Sequence, residues 1–140
     1  MSQENQFEQI KMDKLQEEAD QDLSFSIANA EKIALNIPVL KNKYSRYLFI
    51  AKGVLKNSEM DLKRIYAKKH KYYSFEHNIK FNRGDVPHYI HADSEYQQIE
   101  KKVEMHKLRV EYLESILKSL DGMSFNLGNA IKWHIFMAGD

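Results

Sequence analysis

Between Leu40 and Tyr73 the apolar and charged residues separate when the chain is set on a helix at about 100° per residue. Leu40, Tyr44, Tyr47, Leu48, Ala51, Val54, Leu55, Leu62, Ile65, Tyr66, Tyr72 and Tyr73 fall within an arc of roughly 120°. Lys41, Arg46, Lys52, Lys56, Lys63, Arg64, Lys68 and Lys71 fall on the other side. Lys69 departs from the rule, since its angle puts it among the apolar residues. No proline lies within the run, and Gly53 weakens it by about 1 kcal/mol. The pattern predicts a long helix over 38–73, with an apolar stripe for protein and a basic stripe facing outward.

On either side the pattern changes. Residues 1–6 are expected to be disordered. From Phe7 an acidic helix follows, with Phe7, Ile10, Leu15 and Ala19 as sparse apolar points. Leu23, Ile27, Ala30, Ala34 and Ile37 continue at four-three spacing, so 1–37 reads as an acidic N-terminal helical segment. Pro38 marks a break or the first turn of the long helix, where proline is tolerated. After Tyr73, Gly84, Pro87 and several Asn and His predict a loop over 74–92, long enough to suggest a functional or mobile segment. Asp93 or Ser94 caps a second long helix, and Ser94-x-x-Gln97 fits a capping box. Tyr96, Ile99, Val103, Val110, Leu113, Leu117 and Leu120 step by threes and fours, with His106 at the missing position. That is about four heptads of a coiled-coil seam. Leu108, Tyr112 and Ile116 widen it. Gly122 ends the helix as a residue just past its C-terminus would, and Ser124 opens a short final helix. Phe125, Leu127, Ile131, Ile135, Phe136 and Met137 are too apolar for a solvated tail and call for a partner surface; Trp133 suits an interface anchor better than a base stack. Residues 93–140 therefore read as oligomerisation helices, with Val103, Val110, Leu113, Leu117, Leu120, Phe125, Ile131, Ile135 and Phe136 as the contacts.

Composition agrees with an all-α protein. Its 140 residues suit one domain and include only two prolines and five glycines. The absence of cysteine excludes disulfides and thiolate metal sites. No run approaches the ~18 apolar residues of a membrane span, and the polar, acidic start is no secretory signal, which fits a cytoplasmic protein. There is no Gly-rich phosphate loop. No Ser or Cys nucleophile has a suitable context, and the carboxylates lie in charged runs such as Glu17-Glu18. The chain is expected to be neither an enzyme nor a cofactor binder. His88 and His91, with His77, Asp85 and Asp93 nearby, match no compact metal site.

Charge changes the picture more than composition does. Residues 1–40 hold three Lys and eight acids, residues 41–83 twelve Lys/Arg and three acids, and residues 84–140 six and nine. The formal total of +1 hides a basic middle between two acidic ends. A lysine stripe is most often just a solvated face, but segregation on this scale attracts a polyanion. Unpaired bases also stack on aromatic rings, each for about 1–3 kcal/mol. Tyr44, Tyr47 and Tyr66 suit packing, whereas Tyr72 and Tyr73 end the helix and suit stacking. Lys80 and Arg83 extend the basic region into the loop. The candidate contacts for a nucleic acid are Lys52, Lys56, Lys63, Arg64, Lys68, Lys71, Tyr72, Tyr73, Lys80 and Arg83. Two alternatives remain: a coiled-coil scaffold whose basic helix binds an acidic protein, and a membrane-surface helix, the latter disfavoured because the apolar face is needed for protein.

Four further points carry a resemblance. They are Leu15-Gln-Glu-Glu18, the amphipathic helix ending in Tyr72-Tyr73-Ser74, Ala92-Asp93 opening the second helix, and a hydrophobic tail finishing Phe136-x-Ala138-Gly139. In this order and spacing they resemble the UvsY proteins of T-even-like phages, a recombination mediator family. The resemblance implies a single-stranded-DNA-binding protein that forms a closed homo-oligomer in the host-cell cytoplasm. It also implies loading of a RecA-like recombinase onto DNA coated by single-strand-binding protein. The family places important basic residues just before the paired tyrosines, two apart. The second of these positions is Lys69, which the resemblance adds to the DNA contacts; the first is the uncharged Ala67, with Lys68 and Lys71 close by.

Overall fold

Abundant helix formers and few breakers give an all-helical chain. In a computed structural model, residues 12–24, 26–77 and 81–139 are described, and they contain no strand. The order is α1 (Met12–Leu23), a 3-10 turn (Ile27–Asn29), α2 (Ala30–Lys71), a π-helical turn (Tyr72–Glu76), α3 (Val86–Ala92) and α4 (Ser94–Ala138). The expected disorder of 1–6 and the helical points Phe7 and Ile10 lie outside the described residues. So does Lys80.

Three boundaries differ from the expected ones, the first two for a packing reason. The long helix starts at Ala30 rather than at 38 and carries Pro38 inside it. An internal proline removes a backbone hydrogen bond and costs roughly 3 kcal/mol or more. Ile37 and Leu40 on either side are buried and hold the helix in place through it. The second helix does not stop at Gly122 but runs unbroken to Ala138. Met123 and Leu127 continue the buried face of Leu120 past the glycine, and that burial outweighs the roughly 1 kcal/mol glycine penalty. No glycine among the described residues has a positive φ. The predicted loop over 74–92 is also more ordered than expected, because it contains most of the π-helical turn and the whole of α3.

One domain is expected from length, but the packing resolves into two compact units, Met1–Ala51 with Arg109–Asp140, and Lys52–Leu108. In the first, Leu15 and Ala19 of α1 are buried, as are Ile37, Leu40 and Tyr44 of α2 and Leu113, Ile116 and Leu120 of α4. The acidic α1 is tied down by charge as well. The Lys43 ammonium lies 2.6 Å from Glu18 and 2.8 Å from Asp22, and the Tyr44 hydroxyl donates to Asp22 at 2.7 Å. Burial works against the charged lysine, yet the two carboxylates hold its pKa above the ordinary value. The second unit is built on Ile65, Val86, Ile90 and Tyr96, with Leu62, Tyr66, Tyr73, Phe81 and Ile99 packed against them.

The seam assigned to oligomerisation needs correcting. Val103, Val110, Leu113 and Leu120 are buried within the protomer and Leu117 is half-buried. Three-four spacing calls for a neighbouring surface without stating whether the same chain supplies it. The tail is different: Phe125 is 71% exposed, and Ile131, Trp133, Ile135 and Phe136 are exposed as well. Among the described residues no helix is long and apolar enough to cross a membrane. Truncating fully buried Leu113 to Ala should therefore cost about 2–5 kcal/mol, whereas Phe125→Ala should change stability by less than about 0.5 kcal/mol. Urea denaturation followed by circular dichroism would measure both, and equal losses would contradict this division between core and surface.

Candidate nucleic-acid interface

The basic stripe lies on the part of α2 that belongs to the second unit. Lys52, Lys56, Lys63, Arg64, Lys68 and Lys71 are all exposed. At 1.5 Å per residue they extend over roughly 28 Å of helix. By helical angle Lys52, Lys56 and Lys63 stay within about 40° of one another, and His70 returns to the same line. Ala67 falls between Lys63 and Lys71, so the uncharged position is bracketed by two exposed ammonium groups. Acidic neighbours include Asp61 at 3.2 Å from Arg64, Glu95 at 4.0 Å from Lys68 and Glu76 at 3.7 Å from Lys71. Such exposed pairs contribute at most about 1 kcal/mol, a weak competitor for a phosphate.

Lys69 behaves otherwise, and its angle explains why. It faces the side of α2 that carries the unit's core, and its side chain is only 16% exposed. Its ammonium lies 2.9 Å from Glu95 and 3.3 Å from Asp93. The hydrogen bond to Glu95, joined by the one to Asp93, raises the Lys69 pKa against the opposing effect of burial. Asp93 also accepts from the Tyr73 hydroxyl at 2.8 Å. Its other oxygen accepts from the Tyr96 backbone N–H at 3.1 Å, capping α4. The expected capping box does not form, since the Gln97 amide donates to the His91 carbonyl instead. Burial disfavours the Asp93 carboxylate, but the hydrogen bonds from Tyr73, Tyr96 and Lys69 prevail and hold its pKa below the usual range. Lys69 thus fastens the end of α2 to the start of α4, with both of its carboxylate partners already engaged.

The paired tyrosines also divide. Tyr73 is half-buried, its hydroxyl is bound to Asp93, and its ring stacks on Tyr89 at 6.1 Å. Its expected role as a base platform gives way to packing. Tyr72 is 39% exposed and presents its ring beside the Lys69 ammonium at 5.7 Å. Arg83 is exposed in the turn before α3. Three features fell outside the predicted site. Phe75, in the π-helical turn, is 79% exposed. His70 is exposed on the line of the stripe, and Lys101 and Lys102 are exposed on α4. Phe75 had no signal in the pattern, because a widened turn has no sequence period of its own.

A long cationic helix face suits a polyanion. Residues 10–140 match the family described as recombination, repair and ssDNA binding protein UvsY. The chain belongs to the UvsY family. Two crystal structures of the bacteriophage T4 recombination mediator protein UvsY superpose with TM-scores of 0.85 and 0.84. Both are 16% identical and cover 91% of this chain and 98% of the other. A third, in another lattice, gives 0.81 over 88% of this chain at the same identity. None of the curated proteins compared with it matches. In this UvsY-family chain the all-α fold is shared at low identity, and single-stranded DNA binding in phage recombination and repair is the family's role.

The Lys69–Asp93–Glu95 cluster gives a pH dependence. Asp93 and Glu95 both have lowered pKa values. Their contribution is therefore present above the unfolded carboxylate range near pH 4 and is lost as pH falls through the lower folded values. Asp93→Asn keeps a capping oxygen but loses the charge. It should be less stable than wild type at neutral pH by on the order of 1–3 kcal/mol, with the gap closing as pH falls below the ordinary carboxylate range. Thermal melts across that range would check this, and a gap that stays constant with pH would contradict the charge assignment.

Proposed function

We propose that the chain is a non-enzymatic recombination mediator that grips single-stranded DNA along the α2 stripe and helps a RecA-like recombinase displace single-strand-binding protein. The observation that carries this reading is the exposed row of Lys52, Lys56, Lys63, Arg64, Lys68 and Lys71 in a chain of the UvsY family. Phosphates paired with these cations release condensed counterions, so binding is sequence-tolerant and falls steeply with salt. Lys69 serves the site by holding its scaffold, and contact with DNA passes to its neighbours.

Self-association completes the reading. The exposed Phe125, Ile131, Ile135 and Phe136 supply an apolar surface for further copies, in place of the buried seam. A homo-oligomer repeats the stripe, and multivalent binding raises avidity by about 10²–10⁴ over a single site. A strand wrapped on several stripes is spread and presented to a recombinase while the coating protein's hold weakens. The work would take place in the host-cell cytoplasm.

The experiment is fluorescence anisotropy of labelled oligo-dT over a series of salt concentrations. The variant replaces Lys56, Lys63, Arg64 and Lys68 by Ala. Affinity should fall, and the log–log salt slope should become shallower by about 0.7 for each phosphate contact removed. An unchanged slope would move the DNA site off α2. Loading is then measured as recombinase filament formation on oligo-dT pre-coated with single-strand-binding protein, which the wild type should accelerate and the variant should not.

A further inference from the structure

Past the last turn of α2 the surface folds into a groove of about 610 Å³, within the range of small-ligand sites. Its lining includes His70, Phe75, His77, Phe81, Arg83 and Val86. Val86 is buried and Phe81 half-buried, giving an apolar floor. Phe81 is held by the Tyr89 ring at 3.9 Å and by His77 at 5.0 Å. Phe75 stands up at the rim, 79% exposed, with Arg83 and His70 also exposed. The groove therefore combines a flat apolar ring, a shaped apolar floor, a fixed cation and imidazole N–H donors.

We infer that this groove receives an unpaired nucleobase, stacked on Phe75, while Arg83 and His70 hold the flanking phosphates. The inference rests on the proposed DNA-binding function and deepens it. Two observations select a single strand as the occupant. The first is direction: on the helical wheel Lys52, Lys56 and Lys63 run in one line into His70, so a strand tracking those ammonium groups arrives at the groove. The second is chemistry. An exposed ring beside cations offers a face to any base, and Arg83 supplies a planar, permanently charged partner for phosphate. A duplex has no free base to insert. The stripe alone cannot make that distinction, since it reads only phosphate. The groove is thus the element that prefers single strands, and the stripe supplies affinity without preference.

The test compares fluorescence anisotropy for labelled oligo-dT and for an abasic oligomer of the same length and charge. Wild type should bind oligo-dT about tenfold more tightly. Phe75→Ala should erase that preference and leave the salt slope as it was, whereas the α2 alanine variant should lower the slope and keep the preference. Because Phe75 is exposed, its variant should keep wild-type helicity and melting temperature. Ultraviolet cross-linking of oligo-dT carrying 5-iododeoxyuridine should label the peptide containing Phe75. Equal binding of both oligomers, a preference that survives Phe75→Ala, or cross-links confined to other peptides would each overturn the groove assignment while leaving the stripe intact. No binding of either oligomer would instead remove the underlying DNA-binding reading.

Discussion

One ammonium shared between two carboxylates organises the second unit. Lys69 reaches Glu95 at 2.9 Å and Asp93 at 3.3 Å, while Asp93 caps α4 and receives the Tyr73 hydroxyl. With the cap and the cation on one carboxylate, the direction in which α4 leaves and the direction in which α2 ends are set together. Tyr73, fixed at its hydroxyl, brings its ring against Phe81 and Tyr89, and those rings support the groove beyond. Lys69 and Asp93 are largely screened from water, at 16% and 9% side-chain exposure, while Glu95 is half exposed, so removing Asp93 or Lys69 leaves the other charged and poorly solvated. That asymmetry, more than the strength of any one contact, makes the cluster hard to alter piecemeal.

Adjacent lysines on one helix therefore do unlike work. Lys68 and Lys69 differ by one residue and about 100°. One side chain is 72% exposed and the other 16%. A charge turned toward protein carboxylates stabilises the fold, and a charge turned toward solvent is available to a polyanion. Neutralising both together would mix two effects in a single affinity measurement.

Much of this was legible in the sequence. The apolar stripe from Leu40 to Tyr66 is buried or half-buried at every position named for it; the odd angle of Lys69 was visible too, but Lys69 was still counted among the DNA contacts, because its partners Asp93 and Glu95 lie far along the chain. The all-α class followed from scarce breakers and three-four spacing. Other features were not legible, for identifiable reasons. Pro38 and Gly122 carry strong local signals that burial of Ile37, Leu40, Met123 and Leu127 overrides. The seam through Leu113 and Leu120 looked like an interface because periodicity does not say which chain covers it. Phe75 was invisible because its exposure depends on a π-helical turn, and Tyr73 looked available because its acceptor, Asp93, lies 20 residues away.

The π-helical turn Tyr72–Glu76 contains no buried residue, and it is closed by the His77 backbone N–H donating to the Tyr72 carbonyl at 2.9 Å. Within it the half-buried Tyr73 provides the tie to the unit's core, through its hydroxyl on Asp93 and its ring against Phe81 and Tyr89, while Tyr72, Phe75 and Glu76 are exposed. Local opening is cheapest where few apolar groups must be exposed to water. The backbone amides of this turn are thus set to exchange with solvent well before those of the helix that leads into it, and the rim of the groove can breathe while its floor stays closed.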